Sequence, residues 1–183
     1  LAEPADGDEP RVAAVAVALH AWWLLGLLET ALADTVRYSQ ERVQFGRPIA
    51  RFQANGFRLA DMTLAVHGLA ELGKYTLWSL ANEADQASAL VDALGLRVAA
   101  LDAAEIVLRG AHQLHGAMGF TDEVAVSWLS RASQAVRRLP EDRQRSLATL
   151  VDLVETVGFA ELGRLGSARN NAVRQWVASV TGR

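Results

Sequence analysis

The sequence predicts an all-α fold, an up-and-down four-helix bundle with an extra C-terminal helix. Three observations carry that prediction. Alanine and leucine dominate, whereas β-branched runs and Asn-Gly hairpin signals are nearly missing. Apolar residues recur at three- and four-residue spacing over long stretches, the spacing of one helix face. Breaks stand between those stretches: Gly46 and Pro48, the glycine-rich turn "GAMG" at 116–119, and Pro140.

The elements follow in order. "LAEPADGDEP" (1–10) is acidic and proline-containing, the wrong charge for a targeting segment, and reads as a flexible lead-in or a linker. The bundle domain is expected over 11–160. Its first helix is expected from about Arg11 to Val43. Val12–Leu28 is apolar except for His20, close to the lower length limit for crossing a bilayer. His20 in mid-run, with Glu29 and Asp34 following on the same helix, favours instead the central helix of a bundle. Gly46 is expected to cap this helix and Pro48 to stop it. A second helix, from about Ala50 to Glu83, has Phe52, Phe57, Leu59, Met62, Leu64, Val66, Leu69, Leu72 and Tyr75 as a broad apolar face. "NEADQ" (82–86) reads as a turn, and a third helix covers about Gln86–Leu114. Thr121 is expected to cap a fourth helix, with Asp122 and Glu123 in its first turn, where carboxylates suit the helix dipole. That helix should reach about Leu139. From Arg143 one or two further helices are expected, broken near Gly158 and Gly163–Gly166, with 161–183 as a helical tail.

Composition excludes several classes. A net charge of −3 argues against a nucleic-acid surface. No cysteine is present, so thiolate metal sites and disulfides are ruled out, no metal is expected, and a cytoplasmic location is favoured. Hydrophobic residues at 51% and charged residues at 21% fit a folded, water-soluble domain with no membrane span. Trp22, Trp23 and the surrounding leucines and valines leave the first helix without a polar face. That surplus predicts association with a partner.

Two stretches carry chemistry. "YSQERVQFGRPIARFQANGFRLADM" (38–62) has the form Y-x-x-x-R-x-x-F-G-x-x-x-x-x-x-Q. "QLHGAMGFTDEVAVSWLSR" (113–131) resembles Q-x-x-G-G-x-G-F followed by Glu and Arg. Together, in this order and with helices between them, they resemble the acyl-CoA dehydrogenase family, over roughly residues 11–155, which would correspond to its C-terminal helical domain.

The resemblance implies FAD as cofactor, an acyl-CoA thioester as substrate, and α,β-dehydrogenation as the reaction. It also implies that these residues reach the FAD of a neighbouring subunit. Arg42 would supply a planar charged fork to the pyrophosphate, and Phe45 a flat apolar surface for a ring. Gln53 and Gln113 would hydrogen-bond ribityl or adenine-side atoms. Gly116 and Gly119 would let backbone amides approach a phosphate. Ala117 departs from the family's second glycine, so its methyl group either crowds that approach or is tolerated. His115 stands where many members have an aliphatic residue, and either contacts the cofactor or sits in the turn.

The family's base is a carboxylate near the thioester. Counted without gaps from Gly119–Phe120, one family position for it falls on Pro140, beside Glu141; the other falls near Ala16, where no carboxylate occurs between Arg11 and Leu28. Glu141 is therefore either the base, displaced by one residue, or an ordinary carboxylate at a helix start. By the same count Gln144 matches a further FAD-contacting glutamine. Three readings follow. The chain is a subunit or fragment of an acyl-CoA dehydrogenase that lends FAD contacts and the oligomer core, as in heteromeric actinobacterial types acting on steroid side chains and other bulky thioesters. Or it is a homo-oligomeric enzyme with Glu141 as base. Or it is a helical scaffold that has lost flavin. The expected assembly is a dimer of dimers, of this chain or with a related subunit, with the apolar helix 12–32 at its centre.

Overall fold

The computed structural model describes residues 9–82 and 86–157. They form helices α1 (Glu9–Glu41), α2 (Gln53–Asn82), α3 (Gln86–His115), α4 (Ala125–Arg138) and α5 (Arg143–Val157). Between α1 and α2 lie two short strands, β1 (Val43–Gln44) and β2 (Arg47–Pro48), then a 3₁₀ turn over Ile49–Arg51. A second 3₁₀ turn, Gly116–Phe120, follows α3.

The chain folds as two compact units. Among the described residues, one comprises Trp22–Glu71 with Ala99–Arg137; the other comprises 9–21, 72–82, 86–98 and 138–157. The first, the cleft unit, is built on Leu24, Leu28, Ala31, Met62, Val66, Ala104, Val107, Ala111, Val126 and Leu129, all buried. Small residues let its helices approach closely. At Gly110 a Cβ would lie 2.6 Å from Met62 Sδ, so the glycine admits the methionine. The second, the Arg97 unit, is built on Ala14, Val17, Ala18, Leu90, Ala93, Leu94, Leu96 and Leu153. Each buried Leu or Val of this kind contributes about 1.5–3 kcal/mol of transfer free energy.

α1 is apolar enough and long enough to cross a membrane by length and composition. Nearly half of that stretch is buried inside the protein, as expected of a core helix. Its remaining apolar surface is a stripe of exposed side chains, Val12, Val15, Leu19 and Trp23, at helical spacing.

Several expectations are corrected. α1 ends at Glu41, before Val43, because residues 42–49 close on themselves. The Arg42 N–H donates to the Tyr38 carbonyl at 2.8 Å, and the Ile49 N–H donates to the Arg42 carbonyl at 2.8 Å. Gly46 is therefore no helix cap. It and Phe45 are the two central residues of a two-residue hairpin in which Val43 pairs with Pro48 and Gln44 with Arg47. Both have positive φ, 51° for Phe45 and 78° for Gly46, the conformation that a type I′ turn requires. Thr121 does not cap the fourth helix: its hydroxyl donates to the Met118 carbonyl at 2.9 Å, and α4 starts at Ala125. Asp122 instead pairs with Arg131 at 2.6 Å. α4 has 14 residues against 30 for α3, so it is the shorter of the two. Most of the turn expected at 82–86 and the breaks and tail expected from Gly158 lie outside the described residues.

A candidate nucleotide-binding cleft

The end of α1, the hairpin and the end of α3 enclose a cleft of about 280 Å³ within the cleft unit. Its walls are Tyr38, Arg42, Gln44 and Ile49 from the first motif and Gln113, Leu114, His115, Gly116, Ala117 and Met118 from the second. Residues more than sixty positions apart in the chain thus face one space.

Local folding explains each placement. Arg42 is the first residue past α1, and the closed loop from its own carbonyl to Ile49 fixes its backbone. The Asn55 side-chain amide reinforces that closure by donating to the Ile49 carbonyl at 2.8 Å. On the opposite wall Gly116 adopts φ 58°, and nothing lies within 4 Å of where a Cβ would stand. It ends α3 by reversing the chain and stays exposed at the cleft. Ala117 is exposed beside it.

His115 joins the two walls. Its ring stacks on Tyr38 with centroids 4.3 Å apart and planes 21° apart. It is 4% exposed, and its Nδ1 donates to the Ala111 carbonyl at 2.9 Å. The carbonyl can only accept, so Nδ1 carries the proton. His112, one turn earlier, stacks on Phe120 with centroids 5.1 Å apart. Its Nδ1 is buried without a hydrogen-bond partner. Gly119 is buried against these histidines: a Cβ there would lie 3.2 Å from His112 Nδ1 and 3.2 Å from His115 Cβ. Its bareness serves the packing of the turn on α3, and it does not line the cleft.

Other sequence-singled residues stand elsewhere. Phe45 projects from the hairpin tip, 92% exposed. Among the described residues its ring meets Phe52 in a T-shaped contact, with centroids 6.1 Å apart. Over the face of Phe52 lies the Arg47 guanidinium, 4.2 Å from the ring centroid, a cation–π contact that occupies this arginine on the hairpin. Gln53, the first residue of α2, is exposed and outside the cleft lining. Gln144 is exposed on α5 in the Arg97 unit.

Glu141 also belongs to the Arg97 unit. Arg97, fully buried, donates from Nη2 to the Glu141 main-chain carbonyl at 3.1 Å. The Thr149 hydroxyl reaches the Glu141 carboxylate at 3.5 Å. Asp142, the next residue, accepts from the Arg145 N–H at 3.0 Å and caps α5. Burial lowers the Arg97 guanidinium to about 10.

Within the cleft the polar groups are the Arg42 guanidinium, the Gln44 and Gln113 carboxamides, the Tyr38 hydroxyl, the His115 imidazole and exposed backbone at a positive-φ glycine. This set suits an anionic, phosphate-bearing ligand. Drug-sized ligands fill about 300–1,000 Å³, so the cleft takes one end of a dinucleotide rather than the whole. Tyr38, Gln44, Met118 and His115 complete walls that the sequence motifs brought together only in part. Tyr38 heads the first motif, and its ring contact with His115 is the feature that sequence spacing could not display.

Residues 14–139 match the family described as "Acyl-CoA dehydrogenase, C-terminal domain". The short-chain specific acyl-CoA dehydrogenase of Megasphaera elsdenii is 36% identical over 104 residues, which are 56% of this chain and 26% of that protein. The structure of butyryl-CoA dehydrogenase from the same organism superposes with a TM-score of 0.75 at 27% identity, covering 85% of this chain and 40% of that one. A steroid ACAD named for two components, Tcur3481-Tcur3483, superposes with a TM-score of 0.75 at 25% identity, over 80% of this chain and 40% of that one. The chain thus spans about a quarter to two fifths of the length of these relatives.

Proposed function

The chain belongs to the acyl-CoA dehydrogenase family, and from that premise we propose that it lends one wall of an FAD site to an acyl-CoA dehydrogenase assembly and forms part of that assembly's core. Members of the family are FAD-dependent flavoproteins. The observation that carries the reading is the meeting of Arg42, Gln113, Gly116 and Ala117 on one cleft. Those residues fit part of FAD: a fixed cation for a phosphate, an amide for a sugar or base edge, and open backbone at Gly116. The remaining cofactor surface has to come from elsewhere, because the cleft is smaller than a dinucleotide.

When bound, FAD supplies a hydride acceptor for dehydrogenation of an acyl-CoA thioester. This chain's residues orient and hold it. Arg42 neutralises phosphate charge with a pre-organised fork. The hairpin offers the Phe45 ring to solvent, where a cofactor ring or a partner surface would cover it. The stripe Val12, Val15, Leu19 and Trp23 on α1 supports docking against another subunit. The two-component name of the steroid ACAD neighbour supports a heteromeric assembly acting on bulky acyl chains. Glu141 serves in this reading as part of the α5 start, held by Arg97 and Thr149.

The test combines intact mass of the native complex, its flavin absorbance, and two substitutions. Arg42→Ala removes a charge-assisted contact of about 1.5–3 kcal/mol, so flavin affinity falls about tenfold or more. Arg42→Lys restores it only in part. Glu141→Gln leaves turnover nearly unchanged. A drop of about 10²–10⁴ in turnover with FAD retained would make Glu141 the base. A colourless native complex would leave a helical scaffold as the remaining reading.

A further inference from the structure

His115 contributes more to the cleft than the motif comparison assigns. Nδ1 is committed to the Ala111 carbonyl, and the ring plane is fixed by the stack on Tyr38. The other ring nitrogen, Nε2, makes no hydrogen bond to any described residue. It is not among the buried unpartnered atoms either, although the residue is 4% exposed overall. What little of the residue meets solvent therefore includes Nε2, and the residue lines the cleft beside Arg42, Gln113 and Gly116. A stacked, buried ring with one uncommitted nitrogen, in a residue that lines the cleft, is a pre-oriented contact.

We propose that His115 is a proton-linked ligand contact: its Nε2 takes up a proton when a phosphate-bearing ligand enters the cleft and donates to a phosphate oxygen. The inference rests on the reading that this cleft receives part of FAD. In the neutral ring, with Nδ1 already protonated, Nε2 can only accept, and a phosphate oxygen offers it nothing. In the cation both nitrogens donate, Nδ1 to Ala111 and Nε2 to the ligand. No second rearrangement is needed.

The charged and titratable neighbours set the sign. From the first motif, Arg42 shares the cleft and opposes protonation while no anion is present; Tyr38 lies against the ring face. From α3, His112 stands one turn earlier, turned to Phe120. The turn Gly116–Phe120 carries no ionisable side chain. Among the described residues no carboxylate lines the cleft, so in this proposal it is the ligand's anion that stabilises the imidazolium. The proton is then held more tightly in the complex than in the free protein. The added affinity is fully present at low pH and is lost as pH rises through the range in which histidines titrate.

The experiment titrates FAD into the deflavinated native assembly, following flavin fluorescence from about pH 5.5 to about pH 8. Wild type should lose about tenfold in affinity across that span, the size of one charge-assisted hydrogen bond. His115→Phe keeps a flat ring on Tyr38 but has no nitrogen, and should bind with a pH-independent affinity near the wild-type value at the alkaline end. His115→Gln keeps a polar tip without titrating and should also be flat. A residue that only packs would lower thermal stability in His115→Phe while leaving the pH slope in place, and that result would overturn the proposal. So would a flat wild-type profile. If Arg42→Ala leaves affinity unchanged at every pH, the cleft reading fails first, and the inference falls with it.

Discussion

The two units differ in where their most distinctive polar residues stand, although both bury small hydroxyls. In the cleft unit the residues that carry chemistry sit on turns and at helix ends, exposed or facing a cleft: Arg42 past α1, Phe45 on a hairpin tip, Gly116 past α3. In the Arg97 unit two of them, Arg97 and Asp92, are drawn in among helices. Arg97 is 0% exposed, and Asp92, half buried, accepts from the Ser79 hydroxyl at 2.5 Å. The first arrangement stores backbone strain and leaves side chains free for a ligand. The second bears a desolvation cost and returns it as internal hydrogen bonds. Strain at turns marks where function sits; buried polar groups here mark how the helices and the 139–142 connection are held.

The largest expected effect lies at Arg97. Arg97→Ala removes the bond to the Glu141 carbonyl and leaves a cavity, for a loss of about 3 kcal/mol. Urea unfolding measures it. Flavin affinity of the fraction still folded should be unchanged. A loss below about 1 kcal/mol would mean that Arg97 is not what holds that connection.

Next comes Gly46. Its φ of 78° admits no β-branched residue without strain. Gly46→Val should cost about 2 kcal/mol locally, opening the hairpin more than the bundle. Amide exchange at Ile49, whose N–H closes the loop, should speed up while core amides stay protected. Unchanged exchange at Ile49 would show that the loop tolerates another turn type.

Phe45 sharpens the contrast further, because stability and function should part there. Phe45→Gly relieves a non-glycine residue at φ 51°, a gain of about 1 kcal/mol, offset by the lost edge contact with Phe52. The expected result is equal or slightly higher stability with weaker flavin retention in the assembly. Lower stability would show that the ring contact outweighs the strain.

Legibility in the sequence follows the same division. The helices could be read because their apolar spacing is a local signal, and α2 and α3 lie within three residues of their expected starts. The turns could be read as breaks but not as shapes. Phe45-Gly46 does not look like a hairpin, since an aromatic at positive φ is rare; the loop closure from Arg42 to Ile49 forces it. Thr121 looked like a cap, yet its hydroxyl satisfies the preceding turn. Arg42 and Gln113 were legible as a pair only through the family motif, whereas the Tyr38–His115 stack depends on tertiary packing that no spacing encodes. The role of Arg97 is not legible in the sequence, because an arginine in mid-helix ordinarily reads as a solvated side chain.

The smallest expected effect concerns Asp92. Burial raises its carboxyl above the ordinary value of 3.8, and the Ser79 hydroxyl offsets this in part by favouring the charged form. The sign follows from the folded state holding the proton more tightly than the unfolded chain. Relative stability from this group is greatest below about pH 3.8, and it is lost as pH rises through the raised folded-state value. At neutral pH the wild type therefore carries an uncompensated part of the burial cost. Asp92→Asn keeps an acceptor for Ser79 and removes the charge. The variant should be as stable as wild type or slightly more so at pH 7, by less than about 1 kcal/mol because the site is half open to solvent. Its advantage should shrink as pH falls toward 4. Urea midpoints of both proteins across pH 4–7 give the comparison. If the wild type gains on the variant as pH rises, the Ser79 bond outweighs burial, and the Arg97 unit holds its carboxylate as firmly as it holds its arginine.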